Sequence, residues 1–173
     1  MISSEENQML NTAELFFKLS FQIATAIRFG LVPTIEYKVF THGNFSLRSA
    51  DFEISEVQLS AAPDILEHVA TYLAAIQIDQ FGQDRLKETS DLQVYSASNI
   101  ARLIRNAFAH NPFSPTWITH RNNAKRFEIA NIISLDATSL AECPVRQKDF
   151  GGPLAILALL RYVRDELLNN PLP

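Results

Sequence analysis

Apolar residues recur every three or four positions in four separate stretches of the chain, a period that commits most of it to amphipathic α-helix. In the first, Leu15, Leu19, Ile23 and Ile27 repeat at intervals of four within a helix predicted from Ser3 to Phe29. Ser3 and Glu6 have capping-box spacing, and Gly30 followed by Pro33 stops the helix. In the second, Ile65, Leu66, Val69, Tyr72, Leu73 and Ile76 line one side from a start near Ser60–Pro63 to about Gly82. The third runs from Ser96 or Ser98 to His110 and is ended by Asn111-Pro112. The fourth opens at Gly151-Gly152-Pro153, carries Ile156, Leu157, Leu160, Val163 and Leu167, and closes at Asn169-Asn170-Pro171. Stripes of this kind are stable only when buried against one another. The expected fold is therefore mainly α, a four- to five-helix up-and-down bundle.

The stretches between the helices behave differently. From Leu31 to Leu59 no helical period persists; Ile35, Tyr37 and Val39 alternate with polar neighbours before the turn-forming His42-Gly43-Asn44, which predicts a short strand or extended excursion. Gln83–Val94 reads as a polar connection. After the third helix, Thr116–Thr119 and Phe127–Leu135 are β-like, with a turn expected at Arg121-Asn122-Asn123. They predict a small β-hairpin-like insertion between the last two long helices. The 173 residues fit one domain spanning 1–173, long enough to bury roughly 70% of the unfolded surface. A single cysteine, Cys143, excludes an internal disulfide framework and has no neighbouring base to activate it. The acidic start Met1–Glu6 lacks signal-peptide character, and no apolar run reaches about 18 residues, so no membrane association and a cytoplasmic location are expected.

Charge is unevenly distributed. Residues 1–90 hold six Lys/Arg against twelve Asp/Glu, and residues 91–173 hold nine against seven, within a net charge of −4. The window 92–127 has no acidic residue but contains Arg102, Arg105, Arg121, Lys125 and Arg126, together with Phe108, Phe113, Trp117 and Phe127. Cations interleaved with aromatics suit single-stranded nucleic acid, the cations meeting phosphates and the rings stacking on bases. The alternative is that the rings are core and the charges a solvated face.

The third helix concentrates the chemistry. At about 100° per residue, Ile100, Leu103, Ile104, Ala107 and Phe108 share one side, and Asn99, Arg102, Asn106 and His110 lie along the opposite edge. Arg105 lies about 60° to the other side of Arg102, with a side chain long enough to swing back. The grouping suits metal-independent RNA cleavage, in which the 2′-hydroxyl attacks its own adjacent phosphate. Imidazole transfers protons near neutral pH. Guanidinium grips a phosphate through parallel hydrogen bonds and stays charged. Asn106 is placed to orient the imidazole or hold a sugar hydroxyl. A structural role competes, because histidine in a last turn complements the helix dipole and Asn-Pro is a routine stop.

The run Ile104–Phe113, I-R-N-A-F-A-H-N-P-F, resembles the R-x-x-x-x-H motif of the HEPN superfamily, the higher eukaryotes and prokaryotes nucleotide-binding domain. Arg105 and His110 match its two motif positions, and Asn106 fits the position after the arginine. Gly151–Leu154 before the last helix is similar to a second tag of uncharacterised bacterial HEPN-like proteins. The resemblance implies a bundle of four or five helices and a metal-independent endoribonuclease with Arg105 and His110 as catalytic residues, supported by Asn106 and Arg102. It also implies a toxin–antitoxin, phage-defence or RNA-processing setting, and a homodimer whose two motifs face each other. Arg121, Lys125 and Arg126 in the insertion are the candidate RNA contacts. The remaining partner expectations are RNA and an antitoxin or other protein, with no metal and no cofactor. The alternative function is a non-catalytic RNA-, nucleotide- or protein-binding module of the same fold. His42, His68 and His120 show no metal-ligand spacing, and Gly151-Gly152 reads as a bend before a helix.

Overall fold

Among the described residues, four α-helices and two short β-hairpins follow one another in the order the sequence pattern dictates. The computed structural model describes residues 4–31, 39–43, 45–48, 53–85, 91–120 and 122–168. Helix α1 spans Ser4–Arg28 and ends in a left-handed Gly30, whose N–H reaches the Ile27 carbonyl while the Leu31 N–H reaches that of Ala26. Strands β1 (Val39–His42) and β2 (Phe45–Arg48) pair antiparallel around Gly43. The hairpin turns at Gly43, within the expected turn; Asn44, Ile35, Tyr37 and the capping residue Ser3 lie outside the described residues.

Helix α2, Glu56–Arg85, begins earlier than Ser60–Pro63 and takes Pro63 into its interior. Its start is fixed by a reciprocal cap: Ser55 Oγ accepts from the Gln58 N–H at 3.3 Å and Gln58 Oε1 accepts from the Ser55 N–H at 2.9 Å. Helix α3, Leu92–Ala109, also starts earlier than expected. Asp91 Oδ1 caps it, accepting from Gln93 N and Val94 N at 2.6 and 3.3 Å, and Ser98 is instead buried mid-helix. Helix α4, Pro153–Tyr162, opens on Pro153 after a left-handed Gly151 and Gly152, then widens into a π-helical turn over Val163–Leu168.

The insertion between α3 and α4 contains the second hairpin, β3 (Arg126–Ile129) with β4 (Ile133–Asp136), registered Arg126 to Asp136 and Ile129 to Ile133. The chain reverses at 130–132, where Asn131 has φ +62°, inside the stretch Phe127–Leu135 that alternation alone reads as one extended piece. Thr116 forms only an isolated bridge, to Pro144. That bridge anchors Trp117, fully buried, whose N–H donates to the Cys143 carbonyl and whose Nε1 donates to Asp149 Oδ2 at 2.9 Å. Burying a side chain of this size contributes roughly 3 kcal/mol, and the indole N–H is satisfied as burial demands.

Side-chain contacts fix the directions of the helices. Arg28, at the end of α1, donates to Glu67 and Asp64 near the start of α2. Gly82, late in α2, meets Ser98 early in α3, while Phe108 packs on His68 and Tyr72. Tyr162, at the end of α4, donates to Gln93 at the start of α3. Neighbours therefore run antiparallel, an up-and-down bundle with the hairpin set on α3 and α4. Among the described residues, no helix is long and apolar enough to cross a membrane.

The helix stripes meet two different fates. On α3 the expected inner side is the core, with Ile100, Leu103, Ile104, Ala107 and Phe108 all 1% exposed or less. On α1 the inner side is Leu10, Ala13, Phe17 and Ala24, and the four-residue repeat of Leu15, Leu19 and Ile23 faces outward. Periodicity marks a helix but not which of two apolar stripes is buried. In α1 the inner one contains small residues that permit close approach to α2.

Candidate functional site

Helix α3 and the second half of α2 together hold the charged cluster. The α3 hydrophobic side fixes the helix's rotation, which turns Arg102, Arg105 and Asn106 toward the edge of α2. There they meet Asp79, whose side chain is completely buried. Arg105 Nη1 donates to Asp79 Oδ2 at 2.5 Å, and Gln83 Nε2 donates to the same oxygen at 2.9 Å. Arg102 Nε lies 3.5 Å from Asp79 Oδ1, an ion pair without a hydrogen bond, and neither atom has a hydrogen-bond partner elsewhere among the described residues. Asn106 Oδ1 accepts from Arg105 Nε and Nη2 at 3.2 and 2.8 Å. The amide expected beside the imidazole thus orients the guanidinium.

Two guanidinium groups share one carboxylate here, which leaves one unit of positive charge uncompensated within the cluster. The Arg102 and Arg105 side chains are 37% and 32% exposed, so both reach solvent while anchored from below. Of Arg105's five N–H donors, three are engaged; the others remain for an anion approaching from solvent.

His110 closes the helix. It is the exposed C-cap residue of α3, beyond which the Asn111 side chain turns the chain by accepting from Phe113 N and Ser114 N. Five helical positions separate it from Arg105, equivalent to about 7.5 Å of rise and 140° of rotation. The structure therefore gathers Arg102 and Arg105 around Asp79, with Asn106 bonded to the Arg105 guanidinium and only about 40° of helix rotation from His110.

The basic residues of the insertion sit elsewhere again. Lys125 Nζ donates to the Tyr95 hydroxyl at 2.8 Å and lies over the Tyr95 and Phe127 rings, 4.9 and 5.6 Å from their centroids. Tyr95 is in the first turn of α3, fifteen residues or about 22 Å along the axis from His110. Arg126 is exposed and pairs with Glu128 at 2.8 Å; Arg121 lies outside the described residues. Of the four rings singled out in 92–127, Phe108, Trp117 and Phe127 are core and Phe113 is 65% exposed; the Tyr95 ring, in the same window, is 36% exposed. The expectation of several aromatic stacking platforms in 92–127 is thereby corrected: three of the four rings supply hydrophobic burial instead. Asn99, expected on the polar edge, is likewise buried and donates to the Tyr95 carbonyl at 2.7 Å.

Asp79 is the residue that motif reasoning missed. Its signal is a lone acid inside the apolar run Ala70–Phe81, in helical phase with Tyr72 and Ala75. Among the described residues, no three His, Cys, Asp or Glu side chains are grouped to hold a metal ion. Compared with protein-family models, curated proteins and solved structures, the chain matches none.

Proposed function

We propose that this chain is a HEPN-like, metal-independent endoribonuclease that acts as a homodimer in the cytoplasm, within a toxin–antitoxin or defence system. The observation that carries the proposal is the surplus positive charge of the Arg102–Arg105–Asp79 cluster, half-exposed on the helix that ends in an exposed histidine. In this reading Arg105 binds the scissile phosphate through its free N–H groups, Asn106 and Asp79 keep the guanidinium in place, and Arg102 supports it with a second positive charge. His110 removes the proton from the 2′-hydroxyl or returns one to the 5′-oxygen that leaves. The nucleophilic oxygen bonds to phosphorus as the 5′-oxygen departs, giving a 2′,3′-cyclic phosphate and a 5′-hydroxyl.

Purified wild type, His110→Ala and Arg105→Ala incubated with RNA in EDTA test the proposal. The expected result is cyclic-phosphate product from the wild type and at least about 100-fold less from His110→Ala, the lower end of what positioned proton transfer supplies. Equal cutting by all three proteins, or none by the wild type, sinks the catalytic claim.

One observation favours a second reading, a non-catalytic RNA-binding module: Arg105 is already held by Asp79 and Asn106. That reading predicts RNA binding that weakens steeply with salt and leaves the strand intact.

A further inference from the structure

The polar edge of α3 continues past the arginine cluster toward the start of the helix. At about 100° per residue, Tyr95, Arg102, Asn106 and His110 fall within about 80° of one another. All four reach solvent, Tyr95 at 36% and the Arg102 side chain at 37%. No acidic residue occurs in 92–127. The acids that do approach this edge are committed elsewhere: Asp79 is buried under two guanidinium groups, and Asp91, one turn before Tyr95, caps the helix.

Lys125 stands at the far end of the edge, and it is held there. Its ammonium donates to the Tyr95 hydroxyl at 2.8 Å and faces the Tyr95 and Phe127 rings, which touch each other with centroids 6.1 Å apart. One of its three N–H donors is taken by that oxygen, so two remain for an anion. A surface lysine ordinarily gives up rotamer freedom when it grips a ligand; packing on two rings has already removed that freedom here. Alternation along the strand separates this lysine from its neighbour. Lys125 and Phe127 face α3, whereas Arg126 points the other way, 61% exposed and paired with Glu128 at 2.8 Å.

We propose that Lys125, positioned by Tyr95 and Phe127, is a second phosphate subsite, and that one strand of RNA lies along α3 with one phosphate on Lys125 and another on the Arg102–Arg105 pair. The inference rests on the RNA reading given above and adds to it the course and length of the strand. Seven residues of helix separate Tyr95 from Arg102 and ten separate it from Arg105, a rise of about 10 and 15 Å. Stacked nucleotides rise about 3.4 Å each, so the two subsites lie about three or four nucleotides apart on one strand. A strand shorter than this span reaches only one of them. A longer strand engages both, and the second contact releases a further condensed counterion.

Fluorescence anisotropy with oligouridylates about twelve nucleotides long, and competition by oligomers about three nucleotides long, test the subsite. The measurements are made in EDTA on a His110→Ala parent, with strand integrity checked on a gel and folding by circular dichroism. Lys125→Gln is expected to weaken the long oligomer severalfold and to reduce the log–log dependence of its affinity on salt by about 0.7, the share of one phosphate on a single strand. The short oligomer is expected to compete equally well for parent and variant. Arg126→Gln removes the same charge one residue away and is expected to change neither affinity. A Lys125→Gln protein that binds the long oligomer as the parent does, that loses equally at both lengths, or that Arg126→Gln matches, overturns the subsite. If Arg105→Ala abolishes binding while Lys125→Gln leaves it intact, the subsite falls and the RNA reading stands. If the parent binds no oligomer, both fall together.

Discussion

Replacing Arg105 with methionine removes its charge and keeps most of its aliphatic stem, so the substitution isolates the contact with Asp79. The carboxylate left behind is fully buried, with Gln83 Nε2 at 2.9 Å and Arg102 Nε at 3.5 Å as its remaining partners. Removing one partner of a fully buried ion pair costs about 3–5 kcal/mol, whereas exposed pairs contribute about 0–1 kcal/mol. Arg105 is about one-third exposed, and Arg102 can move closer, which places the loss near 2 kcal/mol. For a chain of this length that is a fall in Tm of about 4–8 °C. Asp79→Asn breaks the same pair from the other side but strands only guanidinium groups that can turn to water, so its expected cost is about 1 kcal/mol.

Thermal unfolding of both single variants and the double variant closes the cycle. The double variant no longer contains a buried unpaired carboxylate, so its loss is expected to fall short of the sum of the singles by about 1 kcal/mol. If Arg105→Met melts with the wild type, or the two losses simply add, the carboxylate is not held by Arg105 and the cluster described above is wrong. Measured beside RNA binding, the cycle also separates two roles for Arg105. A residue that serves only the fold lowers Tm and leaves RNA affinity unchanged, whereas a phosphate ligand loses affinity in the double variant as well.

Three further outcomes are expected. Gly82→Ala sets a Cβ 2.6 Å from Ser98 Cβ and 3.1 Å from its Cα, so α2 and α3 must separate; a loss of about 1–3 kcal/mol is expected, and Ser98→Gly in the same chain restores part of it. Burial pushes the Glu14 carboxyl up, but hydrogen bonds from Lys18, Arg161 and Arg164 outweigh it and hold the group at about 2, against an ordinary 4.5. A depressed carboxyl stabilises the fold above pH 4.5 and loses that contribution as pH falls toward 2, so Glu14→Gln is expected to flatten the Tm–pH curve in that window. Trp117, the one tryptophan, is expected to emit at short wavelength in the folded chain, and Asp149→Ala, which strips its N–H partner, is expected to lower the stability measured by denaturant unfolding by about 1–3 kcal/mol.

Much of the architecture was written in local signals. The inner side of α3, the Gly30 stop and the Gly151-Gly152-Pro153 opening depend on neighbours in the chain, and each lies where the residues put it. What failed depended on choice between equivalent signals. Ser96 and Ser98 look like caps, yet Asp91 takes that role; Ser55 with Gln58 has the capping-box spacing that a search beginning at Ser60 passes over. The α1 stripe was misassigned because two apolar rows occupy that helix, and only the shape of α2 decides between them. The candidate site was half visible. Arg102, Arg105 and Asn106 do converge, but the acid that gathers them is 26 positions upstream of Arg105, a relation no local window contains. The rings near the basic residues were ambiguous because burial and base stacking favour the same side chains.

Glu14 has one further consequence, for the order in which the chain acquires its shape. Its two arginine partners lie 147 and 150 residues later, on the last helix. During synthesis, which proceeds from the amino end at roughly 5–20 residues per second, α1 is made long before these arginines, and until they follow, Lys18 is the one cation at hand for the acid. The closure of α1 against α4 is thus a long-range step, and a chain cut before Arg161 leaves the acid with Lys18 alone.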